Sequence, residues 1–295
     1  MTLITAVLTD EYVVMASDRR VTWRHGTRTE RFEDSAMKCF VLGGHLLMGF
    51  TGVAVIEGKS MELWLGETIS RVDTADMIGE LQKRIQEVFD RTPSLSGQPH
   101  SFFAAGFLRR RPDGKFIPVG ILLSNCMNRA GVPDPRRVNG TFLGRKMRLG
   151  NQRHHVLTIG WDVPEVERQS LDRQVRIALK ANSRDPLLIA GPVIEMMRRV
   201  AGKSRGGVGE SILFSSMPRV SVPIDGWALP IAGMKPDSAN TPMALYFEKN
   251  TLDPDSALIY LPAMYWKGSA AAGIEIRQLE PSTDDERGVP WSRDR

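Results

Sequence analysis

Residues 2–22 read TLITAVLTDEYVVMASDRRVT, and the fold follows from how they pair. Leu3 to Thr9 and Tyr12 to Asp18 are short, β-branched and apolar, and only the polar pair Asp10-Glu11 separates them. Two extended runs joined by two polar residues predict a β-hairpin. Its ends meet, so Asp18, sixteen residues after Thr2, returns to the start of the first strand.

Outward from this hairpin, MKCFVL, GG and HLLMGF predict a second one, in which Leu46, Leu47, Met48 and Phe50 form a run that suits a strand covered on both faces. The period then changes to a helical one. Ile56, Ser60, Leu63 and Trp64 share one face, and Met77, Leu81, Ile85, Val88 and Phe89 share another, with Asp73 or Thr74 as the expected cap. SFFAAGFL and FIPVGILL bracket RRRPDGK as a third hairpin, and an irregular stretch covers 125–153. HVLTIGW reads as a strand ending at a glycine. Leu171, Val175, Ala178 and Leu179 mark one late helix, and Val193, Met196, Met197 and Val200 mark another that begins near DPLL. ESILFSSM, MALYFE and SALIYLPAMYW are strand-like, and 268–295 is small, polar and turn-rich, a mobile tail. Strands, two helices, strands, two helices and strands in succession predict an α+β architecture with antiparallel sheets, residues 1–267 forming one domain. Two sheets with a helix pair on each outer side would bury both strand faces.

Composition narrows the function classes. The chain has 295 residues, 42% of them hydrophobic, with no basic leader and no run approaching the about 18 apolar residues that a spanning helix needs. A cytoplasmic protein is expected. Cys39 and Cys126 are far apart and outside any CxxC pattern, so neither a disulfide framework nor a zinc cluster is called for. Charge is uneven: from Arg109 to Arg153 there are eleven Lys or Arg and two acids, a segment net of +9 in a chain of net +5. Such an insertion fits a solvated face or an acidic partner; it lacks the aromatic interleaving that nucleic-acid binding would bring.

Thr2 carries the chemical interest. If Met1 is removed, this residue owns both a nucleophilic hydroxyl and an α-amine whose ordinary pKa, about 7.7–8.0, makes it a usable base. Such a residue needs a cation beside it, a carboxylate to orient that cation, and N–H donors for the oxyanion. Asp18 ends the second strand. Lys38 is a lone basic residue in the apolar AMKCFVL, where an ammonium needs a partner such as Asp18. Gly52, in GFTGVA, sits at an expected strand-to-helix junction, where backbone donors are unpaired.

From Thr2 to about Glu67 the chain resembles a proteasome β-type subunit, one of the N-terminal-nucleophile hydrolases, in the bacterial form that starts without a propeptide. The resemblance lies in Asp18, Arg20 and Thr22 as DRRVT, sixteen residues after the threonine, and in Lys38 standing fourteen residues before Gly52. It weakens towards residue 217. It implies a four-layer αββα sandwich and a cofactor-free threonine peptidase. Thr2 would be nucleophile and base, Lys38 would tune it, Asp18 would orient Lys38, and Gly52 would contribute to the oxyanion hole. Arg20 and Thr22 would belong to the substrate site, Thr22 by main-chain pairing, and Phe50 and Ala54 would line the pocket for the side chain before the cut. A homo-oligomeric ring acting on peptide or protein, with an ATPase partner left open, completes the expectation.

The chain departs from that family in two places. TIGWD puts Trp161 where a supporting serine is expected, and AGKSRGGVG puts Arg205 before the paired glycines, leaving Ser204 as the nearest hydroxyl. A scaffold that keeps the fold without the chemistry, its basic insertion contacting an acidic partner, is therefore the alternative. AGKSRGG is not a phosphate loop, because the pattern would need glycine at Met197. His154-His155 has no third ligand at metal-binding spacing.

Overall fold

The computed structural model describes residues 2–25, 28–34, 36–42, 46–70, 77–92, 95, 97–109, 116–128, 131 and 133–219, and beyond them the strand residues 243–247, 258–261, 264–266, 269–271 and 274–276. Elements are numbered in chain order. The opening hairpin forms at the boundaries its pattern predicts: β1 (Leu3–Thr9) pairs antiparallel with β2 (Tyr12–Asp18), Ile4 opposite Ser17 and Leu8 opposite Val13. Thr9 closes the turn, its hydroxyl donating to the Tyr12 carbonyl at 2.6 Å and accepting the Tyr12 N–H at 2.9 Å.

The hairpin lies inside a seven-stranded sheet ordered β12 (His154–Gly160), β1, β2, β13 (Ile212–Pro218), β14 (Met243–Phe247), β15 (Leu258–Leu261) and β18 (Ile274–Ile276), with neighbours antiparallel. A second sheet runs β11 (Leu143–Arg148), β10 (Phe116–Ser124), β9 (Ser101–Arg109), β6 (Leu46–Thr51), β5 (Cys39–Leu42), β16 (Met264–Trp266) and β17 (Ser269–Ala271), with β5 and β16 parallel and the other neighbours antiparallel. Two small hairpins, β3 (Val21–His25) with β4 (Arg28–Glu33) and β7 (Val55–Ile56) with β8 (Lys59–Ser60), stand apart from these sheets.

Side-chain alternation explains why the central strands have no polar face. On β1, Leu3 and Val7 join an apolar cluster with helices α3 (Glu165–Ala181) and α4 (Leu187–Lys203), whereas Ile4, Ala6 and Leu8 join a cluster with the second sheet. β2 does the same, with Tyr12, Val14 and Ala16 towards the helices and Val13 and Met15 towards the sheet. On the far side Leu46, Met48 and Phe50 of β6 pack with Leu65 of α1 (Met61–Ser70) and with Leu81, Ile85 and Phe89 of α2 (Met77–Arg91). Three apolar clusters thus share the strands, and each fully buried Leu, Ile, Val or Phe is worth about 1.5–3 kcal/mol. The result is a mixed α+β protein. Among the described residues no helix is long and apolar enough to cross a membrane.

The structure corrects several expectations. The stretch 125–153 is not wholly irregular: Leu143–Arg148 adds an edge strand to β10, and its exposed basic side chains hid the strand pattern. SALIYLPAMYW is split, β15 going to one sheet and β16 to the other. β17 and β18 lie within residues read as tail, so strand pairing extends to Ile276. The expected caps Asp73 and Thr74 and most of the RRRPDGK turn lie outside the described residues.

Candidate active site

The hairpin register decides which polar groups meet. With Ile4 opposite Ser17, Leu3 reaches Asp18, and the Leu3 N–H donates to Asp18 Oδ1 at 2.7 Å. Asp18 is fully buried, and its Oδ2 accepts from Lys38 Nζ at 3.1 Å, from the Arg20 N–H at 3.1 Å and from the Gly209 N–H at 3.2 Å. Lys38 immediately precedes β5, where the strand register brings it beside Phe50, whose N–H donates to the Lys38 carbonyl at 3.2 Å. Nζ also donates to the Arg20 carbonyl at 2.5 Å. An ammonium has three protons; among the described residues two find acceptors, and Lys38 lines the cleft. Burial lowers the Lys38 pKa from the ordinary lysine range, with the charge and hydrogen bond of Asp18 opposing the shift.

Thr2, 5% exposed, opens on a cleft of about 640 Å³ whose walls include Lys38, Thr22, Phe50, Gly52 and Ala54. β12 holds its backbone: Leu3 pairs with Gly160, and the Thr2 carbonyl accepts the Trp161 N–H at 2.8 Å. Gly160 has φ +94°, and a Cβ there would collide with the Thr2 carbonyl oxygen, so this turn requires glycine.

The remaining sequence-predicted residues take varied places. Arg20 lines the cleft, but its guanidinium forms a two-pronged pair with Asp34, at 2.8 and 2.9 Å, and lies 5.1 Å from the centre of the Phe32 ring. Thr22 lines the cleft, its hydroxyl buried and without a hydrogen-bond partner among the described residues. Gly52 is not at a helix start. The strained Glu57 (φ +50°) and Gly58 (φ +76°) turn the chain into the β7–β8 hairpin first, so the α1 dipole begins nine residues later at Met61. Ser204 is not among the residues that line the cleft. It ends α4, its hydroxyl donating to the Ala201 carbonyl at 2.7 Å and accepting the Val208 N–H at 2.9 Å. From that loop Gly209, not Ser204, reaches the Asp18 carboxylate. The Trp161 ring packs against Gly207.

His154 does not gather ligands: its Nε2 lies 2.9 Å from Asp172 Oδ1, and among the described residues no His, Cys, Asp or Glu cluster could hold a metal. Part of the insertion's charge is paired at the surface, Arg136 with Asp162 and Arg137 with Asp134. Pro133 and Pro135 of that segment reach the cleft wall. The sequence matches no protein-family model and no curated protein. Pattern reading missed His100, Ser101 and Cys126. His100 immediately precedes β9, Ser101 begins that strand and Cys126 lies in the turn after β10, and no spacing rule links the cysteine to the other two. Cys126 Sγ lies 3.1 Å from the Ser124 hydroxyl, and His100 lies behind Gly52.

Proposed function

We propose that this chain is a threonine hydrolase of proteasome-like type, cutting amide bonds once Met1 is removed. The observation that carries the proposal is the buried Lys38–Asp18 pair opening on the cleft where Thr2 lies, with Asp18 also gripping the residue after Thr2. The α-amine of Thr2 takes the proton from its own hydroxyl as Oγ1 attacks the substrate carbonyl. The Gly52 N–H faces the oxyanion and Lys38 steadies the Thr2 oxygen. Collapse expels the amine product, which carries the proton away, and water then hydrolyses the ester on Thr2. An extended peptide pairs with the chain at Thr22, and Phe50 and Ala54 line the pocket for the side chain before the cut. A second cavity of about 570 Å³, sharing Pro133, Pro135 and Gly160, gives room beyond the cut. In this proposal the two sheets and their helices are the four-layer αββα sandwich of N-terminal-nucleophile hydrolases, and copies close a ring that restricts access to the cleft.

One observation favours a second reading, a scaffold without turnover: Trp161 occupies the place of a supporting serine, and the Ser204 hydroxyl is engaged by its own loop. Intact-mass measurement with a β-lactone or peptide epoxyketone separates the two. The hydrolase loses Met1 and gains one adduct that maps to Thr2, and Thr2→Ala gains none while its unfolding midpoint stays put. Retained Met1, or an exposed Thr2 that never labels, selects the scaffold.

A further inference from the structure

We propose that His100 is a positioning residue that fixes the Gly52–Val53 backbone at the mouth of the cleft, aiming the Gly52 N–H at the oxyanion. Its catalytic consequence rests on the threonine-hydrolase reading; the backbone contact itself does not. His100 is fully buried, and its Nδ1 accepts the Val53 N–H at 3.3 Å across 47 residues of sequence. Gly52 takes φ +112°, and a Cβ there would run into Nδ1, so the turn and the ring are fitted to one another.

The ring cannot swing away. Phe89 of α2 meets it edge-on, 4.5 Å between centres at 82°, and Phe142 backs Phe89 at 4.9 Å. The His100 N–H donates to Asn125 Oδ1 at 2.7 Å, and its carbonyl accepts the Asn125 N–H at 3.2 Å and the Ser124 hydroxyl at 3.1 Å. Accepting at Nδ1 puts the proton on Nε2, and among the described residues that buried nitrogen has no partner at hydrogen-bonding geometry, the Leu95 carbonyl acting on it only weakly. A phenylalanine would fill the same aromatic niche without the cost of an unpaired buried N–H. What it would lack is the acceptor for Val53. Burial pushes the His100 pKa down to about 4 against a smaller opposing effect of the Leu95 carbonyl, so the Nδ1 lone pair is available at neutral pH.

Two variants separate acceptor from volume. His100→Asn keeps an oxygen near the Nδ1 position and loses the ring; His100→Phe keeps the ring and loses the acceptor. The readouts are hydrogen exchange at the Val53 amide and, on a fluorogenic peptide amide, kcat against KM. Loss of a whole oxyanion donor lowers kcat by about 10²–10³, so misaiming one in His100→Phe is expected to lower kcat by at least about tenfold with KM within about twofold. Val53 exchange should accelerate by at least about tenfold in the same variant, while His100→Asn restores most of both. Unchanged Val53 exchange in His100→Phe overturns the proposal, as does a result in which His100→Asn is the more damaged of the two. If the wild-type chain never labels at Thr2, the hydrolase reading falls, and Val53 exchange still decides whether His100 holds this backbone.

Discussion

Asp18→Ala is expected to lower stability by about 3–5 kcal/mol, the range for breaking a buried ion pair from one side. The side chain is fully buried and gathers four donors: Lys38 Nζ and the backbone N–H groups of Leu3, Arg20 and Gly209. Alanine leaves the Lys38 ammonium, itself 2% exposed, with the Arg20 carbonyl as its remaining hydrogen-bond acceptor. It also leaves three inward N–H groups without their acceptor, each carrying its own desolvation penalty. The three come from distant parts of the chain: the start of β1, the end of β2 and the loop after α4. Their shared carboxylate therefore ties these segments together beside the cleft that Arg20 and Lys38 line. Asp18→Asn, which retains one acceptor oxygen but no charge, should fall between the two. Urea unfolding followed by tryptophan fluorescence measures this, and a loss below about 1 kcal/mol, the scale of an exposed pair, would show that Asp18 does not bear that burden.

How much of this could be seen beforehand depends on whether the determining contacts were local. The opening hairpin was legible to the residue because Leu3–Thr9 and Tyr12–Asp18 are bounded by Asp10-Glu11 and by Thr9, which can close its own turn. The meeting of Asp18 with the start of β1 followed from that hairpin alone. The approach of Lys38 to Asp18 was legible from charge: an ammonium in AMKCFVL needed a carboxylate. The edge strand β11 was not legible, since LGRKMR exposes most of its side chains and so lacks alternation. Nor was the β7–β8 turn, which depends on a non-glycine residue, Glu57, taking positive φ. Ser204 drew notice as a hydroxyl near paired glycines, yet a serine ending a helix bonds its own backbone as readily as a distant site. His100 escaped because its partner Val53 is 47 residues away and its surroundings are aromatic side chains from α2 and the insertion.

Lys38→Met separates chemistry from architecture where Asp18→Ala cannot. The methionine fills most of the lysine's volume, and Asp18 keeps its three backbone donors, so the carboxylate is not stranded. The stability loss should therefore be smaller than for Asp18→Ala. On the hydrolase reading, acylation of Thr2 is in contrast expected to fall by about 10²–10³-fold, the scale of losing one group that stabilises charge in the transition state. Burial has lowered the Lys38 pKa, so its neutral form is reached at a pH below the ordinary lysine range. With the ammonium as the acting form, the wild-type labelling rate falls as pH rises through that displaced interval, and Lys38→Met lacks this limb. The measurement is the rate of β-lactone adduct formation across pH by intact mass, with unfolding midpoints determined on the same samples. Labelling at the wild-type rate in Lys38→Met would make the pair purely structural. A fold that survives while labelling collapses would mean that the ammonium in the cleft that Thr2 also lines is held there for the reaction, at a cost in desolvation that a methionine would not incur.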